Sequence, residues 1–124
     1  MKITKAKPKP TINTLTTLRT QIPPLSGWDL CGANLSKADL SGIVLSYANL
    51  READLRGAFV FMGALSHADL CEADLREASM LSTNLRGANL SKADLRGANL
   101  SGADLREANL EFANLSKANL IKAD

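Results

Sequence analysis

The sequence predicts an all-β solenoid, and three observations predict it. Leucine recurs at every fifth position from Leu25 to Leu120, with Val60 and Met80 the two exceptions among twenty. Alanine stands two residues earlier, at sixteen of the nineteen positions from Ala33 to Ala123, with Ile43, Gly63 and Thr83 in its place. Asp or Asn sits between them almost throughout, as in Ala-Asp-Leu at 53–55, 73–75 and 103–105. The unit is Ala-(Asp/Asn)-Leu-x-x. Five α-helical steps would rotate each successive Leu by about 140° and smear the apolar residues around a helix. Five strand steps would put successive Leu residues on opposite faces. The chain therefore turns within every unit, and a turn of constant hand coils it so that each Leu faces a common axis.

Composition bounds the rest. The 124 residues suffice for one compact body. Fifteen Lys and Arg against thirteen Asp and Glu leave a net charge of +2, which argues against nucleic acid as a partner and against a strongly acidic mimic. No apolar run approaches the roughly 18–20 residues that span a bilayer, so no membrane partner is expected, and the first ten residues lack a leader pattern, so the cytoplasm is the expected compartment. Cys31 and Cys71 belong to no Cys-x-x-Cys pair and cannot form a disulfide framework.

In chain order, residues 1–10, with Lys2, Lys5, Lys7 and Lys9 and two prolines, read as a flexible basic tail. Residues 11–24 read as a capping helix and turn. Ile12, Leu15, Leu18 and Ile22 recur near helical spacing, Thr11 is placed as N-cap, and Pro23-Pro24 ends the segment. Its expected place is over the open first coil, because a solenoid end exposes both core and backbone edge, and Trp28, standing where Ala is usual, is expected in the same plug. Residues 25–124 are the repeat. It is still in phase at Ala123-Asp124, so an open last coil able to dimerise end to end is also expected.

Twenty consecutive units in phase, over about four-fifths of the chain, resemble the pentapeptide-repeat family. The resemblance implies a right-handed quadrilateral β-helix of about five coils, four units per coil, with Leu inward along each side and Ala inward near each corner. Leu then fills the axis, and Ala fits a corner with no volume to spare. Asp and Asn accept hydrogen bonds from turn amides. The last two positions are expected to vary freely and to face solvent.

With twenty residues per coil, residues twenty apart stack. Arg56, Arg76 and Arg96 form one outward column, with Asp54, Asp74 and Asp94 two positions earlier on the same side. A carboxylate ladder for a metal or an arginine ladder for phosphate is conceivable there, but mutual neutralisation on a solvated wall is the expected outcome. Carboxylates such as Asp54, Asp74, Asp94 and Glu72 have nothing to desolvate them, His67 stacks outward between Tyr47 and Gly87, and neither arrangement suggests catalysis. No cofactor or metal is expected. Cys31 and Cys71 lie two coils apart, about 9.6 Å, too far for a bridge. The eight glycines read as scattered, with no phosphate loop.

The pattern fails at residues 57–65, where Phe59, Phe61 and Met62 stand at outward positions. Leu81 lies in the same column one coil on, and Val44 and Ala64 replace Asp or Asn around the neighbouring corner. Val44, Phe59, Phe61, Met62 and Leu81 are thus expected to form an exposed apolar patch, met by a protein partner, by a second copy as a homodimer, or by the N-terminal segment. The expected function is that of a non-catalytic rigid scaffold or protein-protein interaction module. The alternative is a DNA-mimic that binds a type II topoisomerase such as gyrase, as some members of the resembled family do. It is disfavoured, because residues 25–124 hold ten basic and thirteen acidic side chains. No enzyme activity is expected.

Overall fold

The computed structural model describes residues 26–124. The predicted basic tail and capping helix lie outside the described residues. Within them the chain forms a right-handed quadrilateral β-helix, and the register is uniform. Every bridge is parallel and joins residue i to i+20, from Asp29 with Asn49 through Asn99 with Asn119. Four walls result. Wall 1 is centred on Asp29, Asn49, Asp69, Asn89 and Asn109, and wall 2 on Asn34, Asp54, Asp74, Asp94 and Asn114. Wall 3 is centred on Asp39, Phe59, Ser79, Asn99 and Asn119, and wall 4 on Val44, Ala64, Asn84 and Asp104.

Each unit supplies its own bend. The amide of Ala33 donates to the Leu30 carbonyl at 3.0 Å, closing a four-residue turn, and the same bond recurs along the rod to Ala123 and Leu120. In all twenty turns the second central residue has positive φ, as a type II turn requires. Seven of the eight glycines occupy that place, so they are in register and not scattered; only Gly63 departs, standing in an Ala position. The last two positions of the unit are therefore constrained, contrary to expectation. The second is held in the left-handed region, and the first is half-buried at about half of its places, Ser36, Arg51 and Arg76 among them, with Cys71 buried outright.

Between coils, each bridging residue uses both backbone groups. The Leu35 amide donates to the Asp54 carbonyl at 2.7 Å, and the Asp54 amide to the Ala33 carbonyl at 2.9 Å. Turn amides add a third bond, as from Lys37 to the Arg56 carbonyl at 2.8 Å. The backbone is thereby satisfied without long strands. Leucines and alanines fill the axis and are buried from Leu30 to Ala103, with Trp28 packed on the same cluster. Leu105, Leu110 and Leu115 are half-buried and Leu120 is exposed.

Candidate functional site

Outside the core, the residue before Leu anchors the turn. Asn34 Oδ1 accepts the Ser36 amide at 3.1 Å, and Asp54, Asp69 and Asp104 accept the amide two residues on in the same way. Where Arg occupies that next position it also forks back onto the carboxylate. Arg56 Nε and Nη2 reach Asp54 at 2.8 and 2.7 Å, and Arg76 and Arg96 do the same to Asp74 and Asp94. The arginines also bridge coils, Arg56 to Asp74 and Arg76 to Asp94, each at 3.7 Å. Hydrogen bonds from Arg56, Arg76 and Arg96 hold the carboxyls of Asp54, Asp74 and Asp94 below the usual carboxylate range. This wall is a neutralised lattice, and its carboxylates are poor proton acceptors. A groove of about 500 Å³ beside it is lined by Lys37, Arg56, Arg76 and Glu77.

The other candidates separate. Among the described residues no group of three or more His, Cys, Asp and Glu is placed to hold a metal, and no helix is long and apolar enough to cross a membrane. Cys31 and Cys71 are free thiols. His67 is exposed and stacks on Tyr47, with ring centroids 5.1 Å apart and planes at 13°. It lies over Gly87, where a Cβ would fall 2.5 Å from His67 Nδ1. His67 thus belongs to an aromatic stack.

The broken stretch behaves differently. Val44 is 40% exposed, Phe59 55%, Phe61 48% and Met62 63%, whereas Leu81 is half-buried and contributes only an edge. Phe59 belongs to wall 3 and Val44 to wall 4. Phe61 and Met62 form the corner between them, and the Met62 amide donates to the Leu81 carbonyl at 3.0 Å. The small floor of wall 4, Val44 and Ala64, is bounded on its far corner by Tyr47 and His67.

Inside and outside depart from the pattern together. Apart from Trp28, every described exception to the unit lies in this one region: Val60 and Met80 for Leu, Ile43, Gly63 and Thr83 for Ala, and Val44, Phe59, Ala64 and Ser79 for Asp or Asn. A Cβ on Gly63 would lie 2.8 Å from Val60 Cγ1, and the buried Thr83 hydroxyl donates to the Val60 carbonyl at 2.6 Å. Val44, Phe59 and Ala64 have no side-chain acceptor of the kind that elsewhere faces a turn amide, so the amides of Ser46, Phe61 and Ser66 lack it. Charge is absent too. The stacked stretches 40–50, 57–68 and 78–85 contain no Asp, Glu, Lys or Arg. Aligning the sequence in twenties brings these exceptions together, whereas reading it in fives separates them.

Comparison with known proteins gives the same frame. The family model for pentapeptide repeats matches residues 25–59, 64–102 and 93–124, passing over 60–63. Among solved structures the chain is similar to HetL, a pentapeptide repeat protein involved in heterocyst differentiation regulation in the cyanobacterium Nostoc. Identity there is 37%, over 77% of this chain and 50% of HetL, with a TM-score of 0.54. It is also similar to a second Nostoc pentapeptide repeat protein, at 38% identity over 91% of this chain and 78% of that one, with a TM-score of 0.49. The plasmid-mediated fluoroquinolone resistance protein QnrB1 matches at 24% identity over 75% of this chain and 54% of its own, with a TM-score of 0.42, a likeness of fold. This chain thus spans half the length of HetL. No curated protein matches it. With the pentapeptide-repeat model matched over nearly all of residues 25–124, the chain belongs to the pentapeptide-repeat family.

Proposed function

We propose that this protein is a non-catalytic scaffold and protein-protein interaction module whose contact surface is the uncharged corner formed by Val44, Phe59, Phe61 and Met62, with Leu81 at its edge. One observation carries the reading. Apart from Phe112, Leu120 and Ile121 in the last coil, the large apolar side chains left in water among the described residues are gathered where the unit itself is rewritten, inside and out. Burying them against a partner returns roughly 25 cal/mol per Å², and the rigid backbone loses little freedom in doing so. A DNA-mimic needs bare carboxylates along a wall, and here Arg56, Arg76, Arg96 and Arg106 fork onto theirs.

The test is affinity capture from the native host with the full chain and with Phe61→Asp. Captured protein is expected to fall at least tenfold with Phe61→Asp while thermal unfolding stays unchanged. Equal capture by both would overturn the proposed surface.

A further inference from the structure

We infer that the corner of walls 3 and 4 is occupied by a second copy of this chain, the two rods lying side by side about a two-fold axis next to Phe61 and Met62. This rests on the corner being a contact surface, as proposed above, and three observations select the occupant.

The first is charge. Each stretch stacked at this corner, 40–50, 57–68 and 78–85, is free of ionic side chains, and on walls 3 and 4 the charges flank it, at Asp39 beside Phe59 and at Asp104 beyond Asn84. A two-fold contact apposes a face to its own copy, and an uncharged face does this without like-charge repulsion. A partner steered by charge would find nothing here to steer it.

The second is shape. A two-fold contact requires projection and recess on one surface. Wall 4 supplies a floor of Val44 and Ala64, the adjoining corner carries the exposed Phe61 and Met62, and the far corner carries Tyr47 and His67. Rotation about an axis at Phe61 sets Phe61 of one copy against Phe61 of the other and brings each Met62 toward the Val44–Ala64 floor of its partner. Flat parallel walls suit such packing, since sheets stack face to face at about 10 Å.

The third is area. Aromatic side chains carry about 150–250 Å² each, so at the exposures given Val44, Phe59, Phe61 and Met62 leave roughly 400 Å² in water. Doubling by symmetry gives at most roughly 800 Å² of apolar centre, and a rim of Tyr47, Ala64 and Leu81 brings the contact into the range of the ~1,000 Å² that a specific contact needs.

The experiment is the mass of the full chain in solution, by light scattering or sedimentation over a wide range of concentration. Wild type is expected to reach twice the chain mass. Phe61→Asp and Phe61→Lys are each expected to raise the concentration of half-dimerisation at least tenfold, and an equimolar mixture of the two to restore it, because residue 61 faces its own copy. Met62→Lys is expected to weaken the dimer like the others. Unchanged thermal unfolding shows that each variant is folded. A single-chain mass at every concentration overturns the inference, as does a dimer indifferent to Phe61. If wild type is monomeric but Phe61→Asp still abolishes capture of a different protein, the second copy is wrong and the contact surface stands. If neither mass nor capture responds, both fall.

Discussion

Asp104 shows how one side chain serves the fold twice. Its Oδ1 accepts the Arg106 amide at 3.1 Å, and the Arg106 guanidinium closes on both oxygens at 2.9 and 2.7 Å. The hydrogen bond from Arg106 holds the carboxyl down to about 2, and those of Asp54, Asp74 and Asp94 are lowered by the same geometry. A carboxyl whose folded value lies below its unfolded value of roughly 3.9 stabilises the fold fully above that value and progressively less as pH falls toward the folded one. The melting temperature is therefore expected to be level from neutral pH down to about 5 and to drop below about 4. Replacing Asp54, Asp74, Asp94 and Asp104 together by Asn keeps the amide acceptor and removes these titrations. An acid-induced drop no shallower in that variant would refute the assignment.

At the scale of the unit, the turn was only half legible. The fivefold period showed that the chain bends, yet the positive φ at the second turn position does not follow from residue type, since thirteen non-glycine residues adopt it, Tyr47, Glu52 and Phe112 among them. The interlocking ladder holds them there, at a cost that an isolated turn would not bear. Gly63 is the instructive exception, being glycine for space and not for dihedral freedom, because Val60 Cγ1 fills the volume beside it. Gly63→Ala is expected to destabilise by about 1–3 kcal/mol through overpacking. Combined with Val60→Ala it should cost less than the sum of the single changes, with a coupling of about 0.5–3 kcal/mol in chemical denaturation. Strict additivity would show that the two residues are not packed as described.

Over the whole rod, each coil touches only its neighbours, so stability should depend on where a core residue lies. Leu75 is fully buried with coils on both sides, whereas Leu115, in the last coil, is half-buried. Leu75→Ala is expected to cost about 2–5 kcal/mol as a cavity, and Leu115→Ala less than half of that. Thermal unfolding of the two variants checks this, and equal losses would contradict a stack of nearest neighbours. The same extended surface explains why the walls could diverge in character. Once the core was fixed by Leu and Ala, the outer positions were free to carry an ionic lattice on wall 2 and an apolar corner between walls 3 and 4.

The amino-acid order determined the solenoid, the burial of Leu and Ala, and the role of Asp or Asn in accepting turn amides, because each follows from a period repeated twenty times. It also marked Val44, Phe59, Phe61 and Met62 as outward and apolar. Tertiary structure alone decided that Leu81 is half-hidden, that the Tyr47 and His67 rings lie nearly parallel at 5.1 Å, and that the buried Thr83 hydroxyl donates to the Val60 carbonyl. The physical reason is that a period fixes which way a side chain points, whereas its neighbours one coil away are set by the closure of the square, twenty residues along the chain.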